Sequence, residues 1–229
     1  MSTDAAKTVR HPISRWYLMP AVERVAAALA RSSVRPGHLT ACGLISATAA
    51  AGVILLYPQS MPLAAVLALA AWFFDRADGR LARLQNTESA WGAWLDANVD
   101  ELVDLGLHVA VAAAASRQIG SDWPWLLLVG FLFGKYLLMH GLATERESTH
   151  ANPDVSCGCA HQIADPSGPP SFVRRLYHLP GNTDVRVHLL IVAMLTGWLV
   201  VELAFVAAYY NLRWFVRYVL VARRLRGAA

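Results

Sequence analysis

Charge is scarce in this chain: 16% of its 229 residues are Asp, Glu, Lys or Arg, 56% are hydrophobic, and the mean hydropathy is +0.38. So little charge excludes an ordinary soluble domain and points to a membrane protein. No basic, aromatic-interleaved segment is present, so nucleic acid is not an expected partner. The net charge of +4 comes mostly from arginine and suits anionic lipid surfaces and phosphorylated substrates. A cleavable signal peptide is not expected either, because a polar start containing Asp4 precedes an apolar run broken by charge. Cysteine is sparse, at three. Cys157 and Cys159 with His150 and His161 could supply four zinc ligands, but at a spacing that is not a standard zinc pattern; a reduced cytoplasmic loop is expected ahead of zinc or a redox pair. Cys42 falls in the first apolar run and reads as packing.

What is abundant is apolar sequence in runs of membrane-crossing length, roughly 20 residues each. Such runs fall at 38–56, 61–82, 92–116, 123–143, 184–200 and 203–222. The expected fold is all-α: a polytopic membrane helical bundle of about six transmembrane helices, in one membrane domain over 1–229. Residues 11–33 mix Arg15, Arg24 and Arg31 with apolar side chains, which predicts an N-terminal amphipathic juxtamembrane helix lying in the interface. Pro36-Gly37 marks a turn after it. Spans 1–4 then occupy 38–143 and spans 5–6 occupy 184–222. The stretch 144–183, with Pro153, Pro166, Pro169, Pro170 and Pro180, reads as a long loop with at most one short helix. Trp123, Trp125 and Trp198 near span ends read as interfacial anchors.

Arginine alternates onto one side: the N-terminal segment, Arg80 and Arg83, Arg146, Arg174 and Arg175 of the loop, and Arg223, Arg224 and Arg226. The other side shows only Arg117. The positive-inside rule therefore predicts a multi-pass cell-membrane protein with both termini cytoplasmic. Within the spans, Asp75, Asp96, Asp100, Asp104, Lys135, Arg186, Arg213 and Arg217 all fall in the cytoplasmic half, describing one polar cavity that opens inward. Arg186, Arg213 and Arg217, taken singly, could equally snorkel to lipid headgroups. Lys135 lies mid-span and needs a partner or a cavity. His108, His140 and His188 are expected to be hydrogen-bonded bundle residues and not ligands.

One segment concentrates chemistry. Asp75 and Asp78 share a helix face at i,i+3, and Asp96 and Asp100 share another at i,i+4. Two facing carboxylate pairs repel one another, so they share protons or bind a divalent cation; an all-oxygen set favours Mg²⁺, Mn²⁺ or Ca²⁺ over zinc. Such a cation neutralises pyrophosphate, while a spare carboxylate can take the proton of an attacking hydroxyl. Gly79 would let a substrate approach the backbone, Arg83 could make paired hydrogen bonds to phosphate, and Gly92 would allow tight helix contact.

The full pattern, Asp75-x2-Asp78-Gly79-x2-Ala82-Arg83-x8-Gly92-x3-Asp96-x3-Asp100, resembles the signature of the CDP-alcohol phosphotransferase family at every fixed position. The resemblance implies displacement of CMP from a CDP-linked alcohol by the hydroxyl of a second alcohol, leaving a phosphodiester. It implies that Asp75, Asp78, Asp96 and Asp100 ligate a pair of metal ions, Mg²⁺ or Mn²⁺, and that Asp100 is also the catalytic base. Asp78, Gly79, Ala82 and Arg83 would line the CDP site, and a homodimer is implied as well. The segments HPISRWYLMP, VRPGHLT and GAWLDANVDELVD look similar to branches that use inositol phosphate. Lys135, Arg186 and Arg217 would then bind the acceptor's phosphate. Asn182-Thr183-Asp184 departs from a typical acceptor signature and takes no role from the resemblance. A lipid donor would enter between spans and a soluble CDP-polyol from the cytoplasm; both routes stay open.

A rival reading keeps the metal and drops the reaction: a divalent-cation transporter lined by intramembrane aspartates. A conduction path should carry polar groups on both halves, yet the outer half holds little beyond Arg117 and Asp122, and Gly79 and Arg83 would have no task. A catalytically idle scaffold is disfavoured because all four aspartates are present.

Overall fold

The computed structural model describes residues 12–151 and 181–227, with the side chains of 146–151, 224, 225 and 227 left aside. The expectations for Cys157, Cys159, His161, Arg174 and Arg175, and for the side chains of Arg146, His150 and Arg224, lie outside the described residues, as does most of the 144–183 stretch. A 3₁₀ turn at Ser14–Trp16 leads into helix α1 (Leu18–Leu29), followed by α2 (Pro36–Leu56), a 3₁₀ turn at Pro58–Ser60, α3 (Met61–Gln85), α4 (Ala90–Ile119), α5 (Trp123–Ala151), α6 (Thr183–Thr196) and α7 (Leu199–Gly227). Among the described residues there is no strand. The all-α expectation holds, and a helix lies over each of the six predicted spans.

Among the described residues, four stretches are long and apolar enough to cross a membrane: Pro36–Leu56, Pro58–Gln85, Trp123–Glu145 and Leu199–Arg223. The remaining two differ for opposite reasons. Helix α4 has the length, at 30 residues, but carries Asp96, Asp100, Glu101 and Asp104. Helix α6 has 14 residues, about 21 Å at 1.5 Å per residue, short of a hydrocarbon core of roughly 30 Å.

Several boundaries move from the sequence expectation. The amphipathic helix is shorter than 11–33 because Ser32 Oγ donates to Leu29 O at 2.8 Å and accepts from Val34 N, while Arg35, before Pro36, is extended at φ −99° and ψ 154°. Helix α5 runs to Ala151 and takes in the first eight residues assigned to the loop, since no helix breaker occurs between Gly141 and Pro153. The break before α7 falls at Gly197, whose φ of +78° suits a left-handed cap, and not after residue 200.

The described chain divides into two compact units. The first holds Met1–Pro124 and Gly181–Glu202. At its centre α2 packs against both α3 and α4, and α3 also packs against α1 and α6. Small residues permit this: Gly43, Ala47 and Ala50 of α2 are buried, and a Cβ on Gly43 would meet Phe74 Cβ at 3.4 Å and Ala71 O at 3.5 Å. The amphipathic helix inserts Leu18 and Val22 into a cluster with Leu39, Trp72, Ala77 and Leu81, and Glu23 accepts from Arg80 Nε at 2.6 Å. Thus α1 rests on the helix that bears Asp75 and Asp78.

The Asn182-Thr183-Asp184 segment acquires a structural role. Asn182 caps α6 by accepting from Asp184 N at 2.9 Å. Asp184, with no exposed surface, accepts from Ile13 N at 2.7 Å and Ser14 N at 3.1 Å. The turn ahead of α1 is therefore pinned to α6 by a buried carboxylate that satisfies two backbone donors. Tyr17 and His188 meet alongside, with the hydroxyl 2.5 Å from Nε2.

The second unit holds Trp125–Pro180 and Leu203–Ala229. Asn211 of α7 donates through Nδ2 to Gly130 O of α5 at 2.7 Å and to Ala207 O at 2.8 Å. Its approach requires glycine at 134, where a Cβ would stand 2.8 Å from Asn211 N and Nδ2. Phe131 and Tyr210 pack edge to face at 5.3 Å. Arg217 pairs with Glu145, and the Lys135 ammonium lies 5.7 Å from the centre of the Phe131 ring.

Candidate metal centre

The turn Asn86–Ser89 between α3 and α4 sets the level of the aspartates. Asn86 closes α3 in the left-handed region at φ 54°, and Ser89 caps α4 by accepting from Gly92 N at 3.0 Å. Asp75 lies ten residues before the end of α3 and Asp100 ten residues after the start of α4; Asp78 and Asp96 lie seven and six residues from the same ends. At 1.5 Å per residue each pair sits at matching height, about 15 Å and about 10 Å from the turn. The carboxylates converge accordingly. Oxygens of Asp75, Asp78 and Asp96 lie within 4.8 Å of one another, and Asp100 interacts with both Asp75 and Asp96.

The cluster is graded from interior to surface. Asp78 is buried, at 5% exposure, Asp75 is half-buried and Asp96 is exposed. Two hydrogen bonds orient Asp78: Thr40 Oγ1 donates to Oδ2 at 2.6 Å from α2, and Gly79 N stands 2.5 Å from Oδ1. Asp75 Oδ2 accepts from Arg76, with Nε at 2.7 Å and Nη2 at 2.5 Å. The donor set is hard oxygen throughout and like charges crowd together, which fits Mg²⁺ or Mn²⁺ better than zinc.

Gly79 follows Asp78 on α3, and among the described residues beyond its own helix turn a Cβ built there would meet Arg83 Nη1 alone, at 3.8 Å. Ala82 is half-buried and Arg83 exposed on the same helix. Gly92 differs from its expectation: it is exposed, and a Cβ would meet its own capping Ser89 Oγ at 3.2 Å, so its place is in the helix cap and not in a tight contact between helices.

Of the three basic residues expected at an acceptor phosphate, Arg186 lies in the same unit as the aspartates, where Nη2 donates to Asp104 Oδ1 at 2.6 Å. Lys135 and Arg217 belong to the second unit. His108, expected as a hydrogen-bonded bundle residue, is 2% exposed and stands 2.7 Å from Asp104 O and 3.3 Å from Glu202 Oε1. Sequence reasoning did not single out Thr40, Arg76 or Glu202 for the site or its surroundings. Thr40 follows the VRPGHL turn and carries no local signal, since its task depends on a residue 38 positions away. Arg76 was visible in sequence, directly between Asp75 and Ala77 and two residues before Asp78, and that adjacency to two carboxylates was the signal to take.

Comparison with known proteins agrees with this site. The family model for CDP-alcohol phosphatidyltransferase matches residues 33–165, more than half of the chain and the whole aspartate pattern. A bifunctional IPC transferase and DIPP synthase of Aquifex aeolicus is 26% identical over 142 residues, which cover 61% of this chain and 28% of that protein. An archaetidylinositol phosphate synthase of Pyrococcus horikoshii is 28% identical over 119 residues, covering 52% of this chain and 59% of that protein. The chain thus spans less than two thirds of the length of either relative. The match over 33–165, on which Asp75, Asp78 and Asp96 converge, means that this chain belongs to the CDP-alcohol phosphatidyltransferase family.

Proposed function

We propose that this protein is a membrane-embedded transferase that moves a phospho-alcohol group from a CDP-linked alcohol to the hydroxyl of a second alcohol, releasing CMP. The observation that carries the reading is the convergence of three carboxylates within 4.8 Å, with Asp100 beside them, in a chain of this family. Asp75, Asp78, Asp96 and Asp100 would hold Mg²⁺ or Mn²⁺, as one ion or a pair, which when bound supplies charge neutralisation at the pyrophosphate. Asp78, Gly79, Ala82 and Arg83 bind the CDP moiety: the open backbone at Gly79 admits the nucleotide, and the exposed Arg83 guanidinium makes paired hydrogen bonds to its phosphates.

The acceptor hydroxyl oxygen attacks the phosphorus that bears the donor alcohol. A new P–O bond forms as the bond to the CMP phosphate oxygen breaks, and CMP leaves with that electron pair. The hydroxyl proton passes to the Asp100 carboxylate, which acts as general base. The names of the two relatives, one an archaetidylinositol phosphate synthase and one a bifunctional IPC transferase and DIPP synthase, support an inositol phosphate acceptor. Arg186, in the same unit as the aspartates, is the basic group assigned to its phosphate. The arginine distribution supports a multi-pass cell-membrane protein, with termini and active site cytoplasmic, and the family supports a homodimer.

CMP release by purified protein with Mn²⁺ tests the reading, using CDP-diacylglycerol and CDP-inositol against inositol, inositol phosphate and glycerol phosphate. One productive pair that includes inositol phosphate is expected. Failure of every pair, with Mn²⁺ instead crossing proteoliposomes, would sink the transferase in favour of a transporter.

A further inference from the structure

Arg76 is adjacent in sequence to Asp75, and successive residues on a helix do not normally face each other. Here the guanidinium bends back to reach Asp75 Oδ2 with both Nε and Nη2, at 2.7 and 2.5 Å. What makes that path favourable is one turn earlier: the guanidinium carbon lies 4.0 Å from the centre of the Trp72 indole, itself 5% exposed and part of the core against α1. A flat cation over an aromatic face with its edge on a carboxylate is a well-held arrangement. The same cation acts on Asp96 and Asp100, so it belongs to the whole cluster. Asp75 also belongs to the three carboxylates within 4.8 Å. With Oδ2 held by the guanidinium, Asp75 has Oδ1 left for a divalent ion, and the fixed positive charge of Arg76 opposes that ion's approach.

We propose that Arg76 is a tethered cation that occupies Asp75 and competes with the divalent ion for it, so that Arg76 sets the metal affinity of the site. The inference rests on the metal-dependent reading above. It assigns Arg76 neither to substrate nor to chemistry: Arg76 neutralises one of the four carboxylates while the site is empty, and divalent binding must draw Asp75 away from it. Trp72 keeps the guanidinium close, which makes the competition intramolecular and hence effective at any protein concentration.

The experiment is Mn²⁺ binding, read from the electron paramagnetic resonance signal of free Mn²⁺, on metal-stripped full-length protein in nanodiscs without nucleotide. Arg76→Gln is expected to bind Mn²⁺ about tenfold more tightly than wild type, the scale of removing one competing charge from a partly exposed site. Arg76→Lys, which keeps the charge, is expected to stay nearer to wild type. In an Asp75→Asn background, where the contested carboxylate is gone, Arg76→Gln should no longer tighten binding. Circular dichroism and thermal melting check that each variant folds, and Arg76→Met replaces Arg76→Gln if the latter does not. Unchanged or weaker Mn²⁺ binding in a folded Arg76→Gln protein would overturn the proposal and make Arg76 a support for Asp75. Wild-type protein that binds no Mn²⁺ at any concentration would instead overturn the metal reading, and this inference with it.

Discussion

Gly79 lies beside the most buried carboxylate of the cluster, yet no contact among the described residues requires a glycine there. Its φ is not positive, and among the described residues outside its own helix turn the Arg83 guanidinium alone approaches a Cβ, at 3.8 Å. In a helix interior, alanine is favoured over glycine by roughly 1 kcal/mol. With Gly79 placed in the proposed CDP site, Gly79→Ala should keep or slightly raise the melting temperature while raising KM for the CDP-alcohol at least tenfold. A variant with unaltered KM would remove Gly79 from the nucleotide site. Thr40 makes the complementary case, since its hydroxyl holds a carboxylate from the neighbouring helix. Hydrogen bonds to charged groups contribute about 1.5–3 kcal/mol. Thr40→Val should accordingly weaken Mn²⁺ binding by roughly tenfold or more, measured by calorimetric titration, with little change in helix content.

At the scale of elements, the two units depend on single polar residues that lock helices together. Asp184 accepts from two backbone donors of the turn before α1 and has no exposed surface. Asp184→Ala leaves the buried Ser14 donor and the part-buried Ile13 donor without their partner and should destabilise the first unit by about 3 kcal/mol, seen as a lower melting temperature and as earlier proteolysis near residues 12–17. Gly134→Ala tests the second unit. A Cβ 2.8 Å from Asn211 forces α5 and α7 apart, at a cost of about 1–3 kcal/mol.

These examples mark what was legible in the sequence. Among the described residues, apolar runs located α2 to α7 and an arginine-interrupted amphipathic pattern located α1, because each apolar face is a local property of its own stretch. The aspartate spacing likewise foretold convergence, since a short turn between two helices sets the heights of residues on both. Asp184, Thr40 and the Asn211 lock were not legible. Their partners stand 170, 38 and 81 positions away, and no local pattern encodes which distant donor a carboxylate or amide will meet. Helix ends were less legible: the role of Gly197 needed its positive φ.

For the molecule as a whole, the four apolar helices and the arginine distribution predict a definite arrangement in the bilayer. The turn at Asn86, next to the aspartates, should face the cytoplasm, and the turn at Ser121 should face outward. With the native cysteines replaced, Ser121→Cys should react with a membrane-impermeant maleimide in intact cells, and Asn86→Cys only after permeabilisation. The reverse pattern would contradict the proposed cytoplasmic placement of the aspartate cluster. The most direct test of the central claim is to measure CMP release and Mn²⁺ binding side by side for wild type and Asp100→Asn. The account predicts that CMP release falls by about a hundredfold or more, the scale of a lost general base, while Mn²⁺ binding, carried mainly by Asp75, Asp78 and Asp96, weakens far less. Asp100→Asn protein that releases CMP at the wild-type rate would contradict it.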